Sequence, residues 1–341
     1  MAKPPPRRPA VSTPARSTSS SPAGTKPRPT PPLPAEPTSG SHRAGDPPHR
    51  LLGAHQSVAG GLTKAVDRAV ETGCECLQIF TRNVNRWDAA PIPAEEAEAF
   101  RAAVTAAGLS CVVVHNSYLI NPASADDSLR EKSIAGLVVE IERAEQLGIP
   151  WVVAHPGAAG AQDRDTAVAR AADGIAESLR RTAGMRAGIL VETTAGQGSC
   201  LGHTFEEIAA ILDRVDAVAG LSPRVAVCLD TCHVFAAGYP LYPAADLDTT
   251  LATFDRLIGL GRLKVIHAND SKKPQGSRVD RHEAIGEGAI GVAAFGLLMN
   301  DPRLQAIPMI LETPKEGSDG RVDPGQDRRN LATLRGMMAL R

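Results

Sequence analysis

Seven side chains of the kind that bind metal ions stand directly behind seven short apolar runs. They are His55 after residues 51–54, His115 after 111–114, His155 after 151–154, Glu192 after 188–191, Asp230 after 225–229, His267 after 263–266 and Glu312 after 308–311. One histidine at a strand end is usually a hydrogen-bonded structural residue. Seven histidines and carboxylates at seven such ends form a pattern, because left without cations they would repel one another and lose hydration at a cost of several kcal/mol. Two closer pairs extend the set. His233 lies one helical turn beyond Asp230 if the chain has entered its next helix, and Asp280 and His282 alternate, so that an extended loop would turn both to one side. Imidazole and carboxylate donors without thiolate suit zinc in hydrolytic service, or manganese, better than a structural zinc site, and the thiols Cys228 and Cys232 leave a cysteine-containing site as the minor alternative.

Donors up to 260 residues apart meet only if the elements carrying them share a rim. Eight apolar, β-branched runs, the seven above and residues 76–80, alternate with helix-period stretches at 62–72, 94–107, 128–147, 165–181, 204–215 and 247–260. Continuous apolar runs suit strands buried on both faces. Eight of them over about 290 residues is the count of a (β/α)8 TIM barrel, whose strand ends converge on one face. An open doubly wound sheet is the alternative, but no glycine-rich dinucleotide fingerprint follows the first strand, so no nucleotide cofactor is expected.

The chain of 341 residues is uneven in composition. Residues 1–50 hold 14 of the 27 prolines and eight Lys or Arg against two acids, with no Phe, Trp or Tyr. They read as a disordered, basic, Pro-rich tail ahead of a catalytic barrel at 51–341. No run is long and apolar enough for a membrane span and no secretory signal is evident, so a cytoplasmic protein is expected, and the six cysteines read as buried reduced thiols. The chain carries −1 overall and the tail +6, which leaves −7 on the barrel. That balance argues against simple electrostatic attraction to nucleic acid unless bound metal neutralises some of the acids.

Several strings resemble the endonuclease IV family of apurinic/apyrimidinic endonucleases: Gly53-Ala54-His55-Gln56-Ser57 with Gly60-Gly61-Leu62, His115-Asn116-Ser117-Tyr118-Leu119-Ile120-Asn121, Glu192-Thr193-Thr194-Ala195-Gly196-Gln197-Gly198 and Leu229-Asp230-Thr231-Cys232-His233. So do His267-Ala268-Asn269-Asp270-Ser271-Lys272, Asp280-Arg281-His282 with Gly286-Glu287-Gly288, and Leu311-Glu312-Thr313. The resemblance runs in order from about residue 51 to the C-terminus and excludes the tail.

It implies a TIM barrel with three Zn²⁺ per chain, Mn²⁺ being admissible at one position: one ion on His115, His155 and Glu192, a second on Glu192, Asp230, His267 and Glu312, a third on His233, Asp280 and His282. Three zinc ions would bring the barrel from −7 to about −1. The implied activity is hydrolysis of the phosphodiester 5′ to an abasic site in duplex DNA, with removal of 3′ blocking groups, Glu192 and Glu312 acting through metal-activated water. It further implies a bacterial-type enzyme working at the nucleoid, expected to be a monomer. Tyr118 and Leu119 stand where a side-chain wedge enters the duplex. Where an inserted arginine is expected the chain has Asn85, with Arg86 one place later, and Lys272, Lys273, Arg278 and Arg281 are candidate phosphate contacts. A metal-dependent sugar isomerase or epimerase of related barrel type is the main rival, and a non-catalytic DNA-binding protein using the basic tail is the second. The first gives no reason for Asp280 and His282, and the second would predict lost donors.

Overall fold

The β-branched runs are buried on both faces, as strands packed between a barrel interior and surrounding helices must be. Residues 50–316, 323 and 325–338 are described in the structure, a computed structural model; the tail expected over 1–50 lies, except for Arg50, outside them. The barrel strands are β1 (Leu52–His55), β2 (Cys76–Ile79), β3 (Cys111–His115), β4 (Trp151–Ala154), β5 (Gly188–Glu192), β6 (Val225–Asp230) and β7 (Leu263–His267), closed by β10 (Met309–Leu311). They pair in parallel and in sequence order, and β10 returns to β1, which makes a closed eight-stranded barrel. A two-stranded antiparallel hairpin of β8 (Asp270–Ser271) and β9 (His282–Glu283) rises from the rim after β7. Gly53 permits the close approach of β1 to β2, since a Cβ there would fall 1.8 Å from the carbonyl oxygen of Cys76.

Helices α1 (Leu62–Thr72), α2 (Ala94–Ala107), α3 (Asp127–Leu147), α4 (Arg164–Arg181) and α5 (Phe205–Asp216) fall where the periodicity placed them, within a residue at either end. Left-handed glycines 73, 108 and 148 stop α1, α2 and α3, while Asp126, Asp163 and Thr204 cap the starts of α3, α4 and α5. α6 (Thr231–Ala237) follows β6 at once. The next helix, α7, spans Ala244–Leu257 instead of 247–260, because Gly259 at φ 91 turns the chain into a 3-10 segment. α8 (Gly291–Asn300) and α9 (Gly325–Gly336) were not anticipated. Side chains of Val113, Val153, Leu190, Ala226, Cys228, Val265 and Ile310 fill the interior, and a larger apolar layer joins strands to helices. All six cysteines are free thiols. Among the described residues no helix is long and apolar enough to cross a membrane.

Arg50, assigned above to the tail, is instead part of the barrel. It is 2% exposed and its guanidinium donates to the carbonyls of Leu304, Met299 and Asp301 beneath β10. Burial pulls its pKa down to about 10 despite the nearby Asp301. Arg50→Ala would strand those carbonyls, so we expect a loss of about 1–3 kcal/mol, read as a lower urea midpoint. An unchanged midpoint would show that water replaces the guanidinium at no cost.

Candidate metal centre

The strand ends deliver the donors. His55, His115, Glu192, Asp230 and His267 are the last residues of β1, β3, β5, β6 and β7, and His155 and Glu312 directly follow β4 and β10. Asp230 is also the N-cap of α6: its Oδ1 accepts the backbone N–H of His233 at 2.8 Å. The three-residue spacing thus reflects a capping hydrogen bond that puts both side chains on one side of the helix start. Asp280 and His282 come from the β8–β9 hairpin and lie 3.3 Å apart, Oδ1 to Nε2. All nine donors expected from sequence meet, in three groups whose ligand atoms lie within 4.8 Å of one another: His115, His155 and Glu192; Glu192, Asp230, His267 and Glu312; His233, Asp280 and His282. Asp230, Cys232 and His282 form a fourth overlapping set, in which burial pushes the Cys232 thiol up to about 12, with Asp230 adding to the shift.

Whether these groups fit a metal is decided by where their hydrogens go. Nδ1 of His115, His233 and His282 lies 2.9, 2.9 and 3.1 Å from the backbone carbonyl oxygens of Asn116, Thr193 and Glu312. A carbonyl only accepts, so each Nδ1 carries the hydrogen and each neutral ring turns the lone pair on Nε2 toward the carboxylates. There lone pair faces lone pair. Nε2 of His115 lies 3.3 Å from Oε2 of Glu192, and Nε2 of His233 and His282 lie 3.2 and 3.3 Å from Oδ2 and Oδ1 of Asp280. Yet buried Glu192 Oε2, His233 Nε2 and His282 Nε2 have no hydrogen-bond partner among the described residues. Cations reconcile that arrangement: protons on the rings, or metal ions between the groups.

The electrostatics express the same demand. Burial raises the Glu192 and Glu312 carboxyls, but facing imidazoles, His155 and His267 for the first and His267 for the second, hold both well below the usual carboxylate range. Asp280 is held at about 2, burial opposing and His233 prevailing. Burial disfavours the charged forms of His233 and His267, yet Asp230 with Asp280 for the first, and Cys228 with Glu312 and Glu192 for the second, push both well above the ordinary imidazole value. His55 behaves oppositely, lowered by burial. It stands 3.8 Å from Glu312 but outside the three donor groups.

Sequence reasoning missed the residues that orient the donors. Asn269 donates from Nδ2 to Oδ2 of Asp230 at 2.6 Å and accepts the Glu312 backbone N–H at 2.8 Å. Gln78 touches His55, His267 and Glu312. Asp270 accepts backbone N–H groups of Gly286, Gly288, Ile290 and Gly291, folding the loop beyond His282. The visible signal for Gln78 was an amide inside the apolar run 76–80.

Of the candidate DNA contacts, Tyr118 is 66% exposed and rests edge-on against Phe80 and the ring of a donor, His115; Leu119 is half-buried beside it. Asn85 and Arg86 are exposed on the β2–α2 loop, and Lys272 and Arg281 are exposed on the hairpin. The Ser117 hydroxyl donates to the carbonyl of Val84 at 2.6 Å, joining the two loops.

A family profile described as xylose isomerase-like TIM barrel matches residues 66–337. A protein named probable endonuclease 4 from Chloroflexus aurantiacus is 48% identical over 287 residues, 84% of this chain and 98% of that protein. The crystal structure of endonuclease IV from Thermus thermophilus superposes with a TM-score of 0.72 at 38% identity, covering 84% of this chain and 98% of that one. D-psicose 3-epimerase from Clostridium cellulolyticum H10 gives a TM-score of 0.60 at 15% identity, covering 85% and 100%, a likeness of fold alone.

Proposed function

The chain belongs to the endonuclease IV family of xylose isomerase-like TIM barrels, and on that premise we propose that it is a zinc-dependent apurinic/apyrimidinic endonuclease cutting duplex DNA on the 5′ side of abasic sites. The single observation that carries the reading is the set of nine side chains whose ligand atoms converge in three groups. The epimerase reading leaves the group of His233, Asp280 and His282 without a purpose.

His115, His155 and Glu192 would hold one ion, Glu192, Asp230, His267 and Glu312 a second, and His233, Asp280 and His282 a third, with Glu192 shared between the first two. Bound there, zinc supplies Lewis acidity and activates water for attack on phosphorus without a protein nucleophile. The chain's own residues do the rest. Glu192 would be shared by the first two ions and Glu312 would help hold the second, the backbone carbonyls of Asn116, Thr193 and Glu312 fix three imidazoles, and Asn269 fixes Asp230. Tyr118 and Leu119 form the wedge at the lesion, and Lys272 and Arg281 contact phosphate. We extend the reading to removal of 3′ blocking groups, which present a phosphate ester to the same donors. Mn²⁺ in one position is compatible with the His and carboxylate donors.

The test compares substrates and metals in one preparation. We expect nicking of a duplex with one abasic site and no epimerisation of a ketohexose, with nicking lost after chelation and restored by zinc. Epimerisation without nicking would reverse the assignment.

The loop after β2 gives a second expectation. Arginine offers a planar cation that stacks on bases, whereas asparagine offers neither charge nor comparable area. Arg86→Ala is expected to weaken binding to abasic duplex by roughly 1–3 kcal/mol, and Asn85→Ala by less than half as much, at one fixed salt concentration with catalysis blocked. A silent Arg86→Ala beside a costly Asn85→Ala would make Asn85 the inserted residue.

A further inference from the structure

A barrel strand buried on both faces gains nothing from an amide, yet β2 carries one. Gln78 is fully buried and sits in register with His55. Its Oε1 is 2.8 Å from Nε2 of His267, its Nε2 is 3.0 Å from Nδ1 of His55, and that same NH2 reaches Oε1 of Glu312. The amide orientation follows from its neighbours: a carboxylate only accepts, so the NH2 must face Glu312 and the carbonyl must face His267. The carbonyl in turn accepts, so Nε2 of His267 must carry a hydrogen. A neutral His267 ring therefore has its lone pair on Nδ1, the atom 2.9 Å from Oε1 of Glu192, 3.2 Å from Oε2 of Glu312 and 3.9 Å from Oδ2 of Asp230.

His267 is thus turned the opposite way from His115, His233 and His282, whose Nε2 atoms face the centre because backbone carbonyls take their Nδ1 hydrogens. Those three are oriented by main chain, which substitution cannot remove. His267 depends on a side chain.

We propose that Gln78 is the positioning residue of the Glu192, Asp230, His267 and Glu312 group, fixing the tautomer of His267 and the direction of Glu312 through one amide that joins β1, β2, β7 and the end of β10. The proposal rests on the metal-centre reading above. Partners of this kind around a metal site change affinity by about 10–100-fold when removed.

The experiment measures zinc affinity by competition with a chromophoric chelator for the full chain, Gln78→Met and Gln78→Glu, with folding checked by thermal melting. It also follows the His267 ring by ¹H–¹⁵N correlation in the zinc-loaded protein. Met keeps the volume without the hydrogen bonds, and Glu keeps an acceptor for His267 but opposes Glu312. We expect one zinc to bind about 10–100-fold more weakly in both variants, and the His267 Nε2–H, protected from exchange in the parent, to exchange freely in Gln78→Met. If either variant folds and keeps both the parent affinity and the protected signal, the positioning role is overturned while the metal centre stands. A parent protein that takes up no zinc overturns the metal-centre reading, and this role with it.

Discussion

Glu192→Gln is expected to abolish incision, by more than about 10³-fold, while leaving binding to abasic duplex largely intact. A single lost oxyanion donor costs 10²–10³-fold in other enzymes, and Glu192 does more than one donor does. It belongs to two of the three donor groups, it is fully buried, and its two oxygens face different partners: Oε1 faces His267, and Oε2 faces His115 and His155. An amide keeps the shape but has one acceptor oxygen and no charge, so two ions can no longer share it. The metal-free variant should melt lower than the metal-free parent, because Glu192, held against burial well below the usual carboxylate range by His155 and His267, stabilises the fold at neutral pH and those imidazoles lose their partner. The gain in melting temperature on adding zinc should shrink as well. Single-turnover nicking with zinc content measured on the same sample checks this. Activity within tenfold of the parent in a fully loaded variant would remove Glu192 from the chemistry.

Glu140→Ala is expected to cost about 3–5 kcal/mol of stability and to weaken DNA binding together. Glu140 lies on α3, and its side chain is 1% exposed against 3% for Arg82, with Nε of Arg82 at 2.7 Å from its Oε1. It also accepts from the Thr81 hydroxyl at 2.9 Å and from the Ser117 backbone N–H at 3.3 Å. Arg82 then reaches the Trp87 carbonyl at 2.8 Å. One buried ion pair therefore braces the loop that presents Asn85 and Arg86 and the loop that presents Tyr118 and Leu119. Removing one partner strands the other charge, whereas Arg82→Met with Glu140→Leu removes both and should recover much of the loss. Melting and abasic-duplex affinity of Arg82→Met, Glu140→Leu and the double form the cycle, beside Glu140→Ala alone. A neutral Glu140→Ala would mean that the pair contributes nothing to either loop.

The strand ends were legible because strands buried on both faces read as unbroken apolar runs, and the residue ending each run stands out by polarity. Helices with two faces were legible for the same reason, from 62–72 through 204–215. α8 was not: Gly291-Val292-Ala293-Ala294-Phe295-Gly296-Leu297-Leu298 has no polar face to set a period and begins at a glycine without a side-chain cap. α9 fails in the opposite sense, since Leu331 and Leu334 are its buried apolar side chains within a polar stretch. At the site, a donor's identity can be read from its residue type, but its orientation depends on partners distant in sequence. Asn269 and Gln78 reach their donors across 39 and 189 residues, and no local spacing signals such a contact. Arg50 was misread because its charge matched the tail's composition, while its three carbonyl partners lie some 250 residues away.

The central claim is most directly tested by mapping the cut. A duplex with a single abasic site, labelled at the 5′ end of the damaged strand, is treated with zinc-loaded protein and the product is compared with markers of known end chemistry. The account predicts one break on the 5′ side of the lesion that leaves an extendable 3′-hydroxyl, lost on chelation and regained with zinc. A break on the 3′ side, leaving an unsaturated sugar remnant on the labelled fragment and persisting in chelator, would contradict it.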